Sequence, residues 1–191
     1  QTCALPICGD EVLTEASAAP ADPDFLARVC VAWEAATAPA EAAGVRTVHL
    51  RTGIVLTPRG GALGRLVLPF KLGLGGRIGS GRQWMSWISI DDEVGAILYA
   101  IERDDLRGPV NATAPAPATN AELTATLGRV VRRPTLLPTP LAPLRAVYGS
   151  ELVTSLLVNG QRVLPAALQG SGYEFRHADL ESALRAVLAR R

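Results

Sequence analysis

The sequence predicts an α/β fold, on three observations. Val45 to Leu56, VRTVHLRTGIVL, is a near-continuous β-branched and apolar run of the kind buried in a parallel sheet. An amphipathic helical segment precedes it across a short turn at Gly44, which makes one half of a βαβ unit. Gly108 to Ala114, GPVNATA, then reads as a second buried strand after a further helical segment.

The elements follow in order. Asp22-Pro23 is a helix start, the acid as cap and proline at the first helical position. This helix carries Phe25, Leu26, Val29, Cys30 and Trp33 on one face, and Pro39 interrupts it. After Gly60-Gly61 an amphipathic segment runs from Ala62 to about Leu72. Glycines at 73, 75, 76, 79 and 81 follow, too dense for a packed helix or strand. Gln83 to Ile90 is a short aromatic strand, and Asp91 and Asp92 open a helix with Val94, Ile97, Leu98 and Ile101 on one face. Asn120 is placed to cap a helix bearing Leu123, Leu127, Val130 and Val131. Pro134, Pro138, Pro140 and Pro143 punctuate a leucine-bearing segment, a strand is expected near Val158 to Leu164, and a last helix spans Asp179 to Leu188, capped near His177 to Asp179.

At 191 residues and 20.1 kDa the chain is long enough for a real core, and a net charge of +1 gives no basis for nucleic-acid or anionic-membrane binding. No apolar run approaches the roughly 18 residues a membrane helix needs. Arginine replaces lysine almost everywhere, Lys71 being the one lysine, a bias of GC-rich and bacterial coding. Gln1 to Ile7, QTCALPI, is the translation of a common sequencing-library adapter, so residues 1–8 are expected to be an assembly artefact; resequencing the locus checks this. Cys3 and Cys8 then fall away and leave Cys30, with no disulfide framework and no metal-binding spacing, which points to a reducing cytoplasm.

The stretch from Gly73 to Asp92 has the make-up of a ligand wall: a glycine loop, an aromatic strand and a helix start in succession. It is not a dinucleotide fingerprint, because no strand precedes the glycines and no helix follows them; a flexible substrate loop is expected. Trp84 and Trp87 lie three apart and point to opposite faces, one to the core and the other to a pocket floor. His49 reads as a satisfied core histidine, His177 as part of the last helix's cap, and Asn111 as structural.

The stretches RTGIVLTPRGGALGRLVLPFKLGLGGRIGSGRQWMSWISIDD and GPVNATAPAPATNAELTATLGRVVRRPT resemble the epimerase-like family of atypical short-chain dehydrogenase/reductases. The tail GQRVLPAALQGSGYEFRHADLESALRAVL is similar to that family's small C-terminal domain of unknown function. The resemblance implies the C-terminal part of a Rossmann-like NAD(P)-binding domain over residues 9–132, a small α+β domain over 133–191, and an upstream glycine-motif half outside this sequence. It implies NADP as cofactor of the intact protein, and an oxidoreductase or epimerase-like activity on a small molecule; the alternative is a non-catalytic dinucleotide-binding sensor. Arg51, Thr52 and Gly53 are the implied cofactor contacts, and Gly79, Gly81, Gln83, Trp84 and Trp87 the implied substrate contacts.

Departures from the parent group bear on the chemistry. Its catalytic Tyr-x-x-x-Lys pair corresponds to Cys30 and Glu34, and neither keeps the acid–base function. No catalytic residue is assigned. The arginine that clamps a diphosphate in extended epimerases is replaced by Met85, which makes no bidentate contact to phosphate. A half-sheet with 45–56 at an unpaired edge is also expected to be poorly soluble.

Overall fold

A computed structural model describes residues 10–18, 25–136, 138–139 and 160–189. The expectations for residues 1–8, for the Asp22-Pro23 helix start, for Pro140 and Pro143 and for a strand beginning at Val158 lie outside the described residues.

Strand β1 (Val12–Leu13) comes first, then helices α1 (Phe25–Ala35) and α2 (Ala38–Ala42). Pro39 is the second residue of α2, where its missing N–H costs no helical bond, so the expected interruption is a break between two helices. Trp33 is 71% exposed, which corrects its placement on a core face.

The run at 45–56 forms two strands, β2 (Val48–Thr52) and β3 (Ile54–Leu56), with Gly53 between them. Helix α3 (Gly61–Lys71) leads through the glycine loop to β4 (Trp84–Met85) and β5 (Trp87–Ser89), and α4 (Ile90–Glu102) follows directly. Then come β6 (Gly108–Ala112), β7 (Ala118–Thr119) and α5 (Asn120–Val131). The C-terminal part contributes β8 (Arg162–Val163), α6 (Ala166–Gly170) and α7 (Leu180–Ala189).

The long strand run splits because its halves take different partners. β2 pairs in parallel with β6, placing Arg51 beside Asn111 and Thr52 beside Ala112. β3 pairs in parallel with β5, from Ile54 beside Trp87 to Leu56 beside Ser89. β4 runs antiparallel to β7, and β1 parallel to β8. Among the described residues β2 has a strand partner on one side only, and all five of its residues are half-buried rather than buried.

Helix α4 reverses an expectation. Val94, Ile97, Leu98 and Ile101 are 40–64% exposed, whereas Asp92, Glu93, Ala96 and Ala100 face inward. Small residues allow the close approach on that side: a Cβ at Gly95 would collide with the Tyr173 hydroxyl. The cap is Ser89, whose hydroxyl accepts from the Asp92 N–H at 3.0 Å, rather than the acids themselves. On α5 the cap is Thr119, in a reciprocal capping box with Glu122, rather than Asn120.

Two apolar clusters form the core, and the C-terminal part enters both. Leu56, Leu63, Phe70, Trp87 and Leu127 pack with Leu184 and Val187 of α7. Ala96, Ala100, Leu106 and Val110 pack with Leu168 of α6, and Tyr99, Tyr173 and Phe175 close over them. Tyr173 stacks edge-on with both Tyr99 and Phe175, at ring separations of 5.2 and 4.9 Å.

Candidate functional site

Ligands of open α/β sheets lie at the carboxyl ends of the parallel strands. Here those ends are Arg51 and Thr52 on β2 with Gly53 just after them, Asn111 and Ala112 on β6, and the start of α4. The structure brings Arg51, Thr52 and Gly53 there, but each is already engaged. Arg51 turns toward α1 and grips Glu34 with both prongs of its fork, Nε to Oε1 at 2.7 Å and Nη2 to Oε2 at 2.8 Å. That hydrogen bond is the main reason the Glu34 carboxyl is held below the usual carboxylate range, and it holds the Arg51 guanidinium above its own. Glu34 is thus paired, and Cys30 is a half-buried free thiol on the same helix.

Thr52 Oγ1 donates to Glu93 Oε1 at 2.8 Å. Glu93 is buried, its Oε2 has no hydrogen-bond partner, and burial raises its carboxyl above the usual range. The close approach expected at Gly53 is made by the neighbouring strands. A Cβ there would stand 2.5 Å from the Ser86 carbonyl oxygen and 2.9 Å from Thr113 Cγ2. As they stand, these three residues do not offer a cofactor a set of free donors, and the sequence carries no phosphate-cradling glycine turn after a strand.

Glu15 ties the same region to the C-terminal part. Its Oε1 accepts from the Asn111 N–H at 2.9 Å and from the Ala167 N–H at 3.1 Å, while its Oε2 is buried without a hydrogen-bond partner. Asn111 Nδ2 donates to the Leu164 carbonyl at 3.0 Å, in keeping with its structural reading.

The glycine loop is held at many points. Gly73, Gly79 and Gly81 turn it with positive φ of 76°, 58° and 73°. Asn120 Oδ1 accepts from the Ile78 N–H at 2.8 Å, Gln83 Nε2 donates to the Ile78 carbonyl at 3.0 Å, and the Ala121 N–H donates to the Gly81 carbonyl at 2.9 Å. Thr139 bonds the loop at both Arg77 and Gly76. Asn120 is therefore a loop anchor, and Gln83 is an internal clamp.

The two tryptophans separate as their spacing implies. Trp87 is fully buried in the larger core cluster and donates from Nε1 to the Ala116 carbonyl at 2.9 Å, so its place among the substrate contacts is corrected to a core role. Trp84 is half-buried; its Nε1 donates to Asp10 Oδ1 at 2.9 Å, and the Arg162 guanidinium lies 4.6 Å over its ring. Only folding brings Arg162 on β8 against Trp84 on β4.

The paired acids serve the fold. Asp92, 1% exposed, accepts from Ser89 Oγ at 2.7 Å, from the Arg176 N–H at 2.7 Å and from the His177 N–H at 3.1 Å. Tyr173 Oη donates to the Asp92 carbonyl at 3.1 Å, and burial pushes the phenol up to about 12. The His177 ring pairs with Asp91 at 3.4 Å, while Asp179 caps α7 by accepting from the Ser182 N–H. His49 is satisfied by Thr37 at 2.7 Å and lies 3.5 Å from Glu41. Among the described residues no metal-holding group of three or more His, Cys, Asp or Glu gathers, and no helix is long and apolar enough to cross a membrane.

Comparison with known proteins adds to this geometry. Residues 139–187 match a family described as a domain of unknown function, DUF1731. The chain is 52% identical over 160 residues to the epimerase family protein Mb2239 of Mycobacterium bovis, covering 84% of this chain and 53% of that protein. It is 41% identical over 182 residues to the epimerase family protein YfhF of Bacillus subtilis, covering 95% and 59%. The crystal structure of human epimerase family protein SDR39U1 with NADPH superposes with a TM-score of 0.86 at 36% identity, covering 95% of this chain and 61% of that one. A UDP-glucose 4-epimerase of Thermotoga maritima superposes with a TM-score of 0.74 at 16% identity, covering 98% and 60%, a likeness of fold alone. The chain spans about half the length of the curated relatives it matches.

Proposed function

Because the chain belongs to the epimerase-like family of atypical short-chain dehydrogenase/reductases, we propose that the full-length protein binds NADP and is an oxidoreductase or epimerase-like enzyme acting on a small molecule in a bacterial cytoplasm. The observation that carries this reading is the likeness, at a TM-score of 0.86, to a relative solved with NADPH. In this reading the cofactor's phosphates are held by sequence upstream of this chain, and β2 and β6 supply the wall on its nicotinamide side. The substrate side is Gly79, Gly81, Gln83 and Trp84, without Trp87.

A second reading, a dinucleotide-binding sensor without turnover, is favoured by one observation. The Glu34–Arg51 ion pair stands where the parent group needs a lysine to hold ribose and to acidify a tyrosine. Calorimetric titration of the full-length gene product with NADPH tests both. Binding with a Kd on the order of micromolar is expected for the full-length protein, and none for the 191-residue chain alone. No binding by the full-length protein would sink both readings. Binding without oxidation of NADPH across a broad panel of carbonyl and sugar substrates would select the sensor.

A further inference from the structure

A net charge of +1 averages over a very uneven distribution. Residues 61–82 carry Arg65, Lys71, Arg77 and Arg82 and no acid, and residues 123–139 carry Arg129, Arg132 and Arg133 and no acid. Helix α3 turns Leu63 and Phe70 into the core, which leaves Arg65, Leu68 and Leu72, spaced by three and four residues, on one outward face. Leu68 and Leu72 are 64% and 65% exposed. The helix ends in a Schellman turn: Gly73, at a φ of 76°, donates from its N–H to the Phe70 carbonyl, and the Leu74 N–H donates to the Pro69 carbonyl, both at 2.9 Å. That turn folds Leu74, itself 67% exposed, back toward the last turn of α3.

The second stretch is laid alongside the first. Arg133 Nε donates to the Lys71 carbonyl at 2.9 Å and the Thr139 N–H to the Arg77 carbonyl at 2.8 Å, so 133–139 follows 71–77 in the same direction. Leu136 stands between these two ties, 88% exposed, as Leu74 does on the other segment. Four outward leucines are thus gathered with five exposed cations: Arg65, Lys71, Arg77, Arg132 and Arg133. Among the described residues no carboxylate forms an ion pair with any of the five. Single exposed leucines are ordinary, but a group of them set among like charges marks a surface that something of opposite charge covers.

We propose that this face docks on an anionic phospholipid bilayer. The cations meet the headgroup phosphates, and Leu68, Leu72, Leu74 and Leu136 enter the boundary between headgroups and acyl chains. A second copy is a poor occupant, because a two-fold contact of this face with itself sets cation against cation. Nucleic acid would answer the charges but offers the leucines no apolar phase, and Phe70, the one aromatic residue of 61–82, is buried and cannot stack on a base. The proposal does not depend on the cofactor reading above.

The test is co-sedimentation of the full-length protein with large unilamellar vesicles, of phosphatidylcholine alone or mixed with increasing phosphatidylglycerol. Binding is expected to rise with the phosphatidylglycerol content and to fall as salt is added. Arg65→Glu combined with Lys71→Glu reverses two outward charges on α3 and is expected to weaken binding about tenfold or more. Leu72→Gln combined with Leu74→Gln keeps every charge and is expected to weaken it by a similar factor, through the lost apolar insertion. A thermal melt shows which variants fold, and the dependence of wild-type binding on lipid charge decides the matter without them. No binding to the mixed vesicles, equal binding to both compositions, or unchanged binding in the folded charge-reversal variant would overturn the proposal. A salt-sensitive dimer that ignores vesicles would also overturn it and give the face to a second copy. NADPH affinity, measured on the same sample, bears on the cofactor reading alone.

Discussion

Removal of Asp92 should cost the fold heavily for so few atoms. Its carboxylate is 1% exposed and accepts three hydrogen bonds, from Ser89 Oγ and from the backbone N–H groups of Arg176 and His177. The last two join the start of α4 to a segment 84 and 85 residues further on. Asp92→Ala would leave two backbone donors and a hydroxyl without this acceptor in a place water does not readily reach. A hydrogen bond to a charged group contributes about 1.5–3 kcal/mol, and three on one carboxylate are not additive. We therefore expect a loss of about 3–5 kcal/mol, a large part of the roughly 5–15 kcal/mol that holds a domain. Asp92→Asn keeps one acceptor oxygen and the volume, and should lose about half as much. Urea denaturation of the full-length protein, followed by tryptophan fluorescence with buried Trp87 as a reporter, measures both. An Asp92→Ala midpoint equal to wild type would refute the reasoning. Loss of turnover at unchanged stability would move Asp92 from the latch to the chemistry.

Two further substitutions probe the strand ends. Gly53→Ala places a methyl group 2.5 Å from a backbone oxygen that cannot turn aside, so a loss of about 1–3 kcal/mol is expected in a thermal melt; an unchanged melt would show that the β2–β3 joint is loosely packed. Glu93 has its carboxyl raised by burial, so the folded state binds that proton more readily than the unfolded chain does. The corresponding stabilisation is present at low pH and is lost as pH rises through the folded pKa. Glu93→Gln should therefore gain on wild type above the ordinary glutamate range of about 4.3 and lose that gain below it. A difference in stability that does not vary with pH would contradict the assignment.

Hydrophobic pattern and turn chemistry made most of the fold legible. The strands at β2 and β6, the break at Pro39 and the last helix each follow from local signals strong enough to survive folding. What was not legible depends on contacts distant in sequence. The stripe from Val94 to Ile101 has the period of a core face, yet the inward side of α4 is Asp92, Glu93, Ala96 and Ala100, because Tyr173 requires small residues beneath it. Trp33 has the chemistry of a core residue and stands exposed on α1. At the candidate site the glycine turns follow from the sequence, whereas which of Trp84 and Trp87 enters the core does not. Arg162 over Trp84, Glu34 on Arg51 and Thr52 on Glu93 do not, since each joins residues that no spacing rule connects.

The shared core also bears on inheritance. Residues 139–187 carry a family description of their own, which suggests a module that genes could trade. Leu184 and Val187 nevertheless pack in one cluster with Leu56 and Trp87, and Glu15 bonds Asn111 and Ala167 with a single oxygen. A transplanted tail would meet a foreign socket and lose both. Substitutions on α7 and on the β3–β5 ladder therefore act on one packed cluster, and their effects on stability are not expected to add.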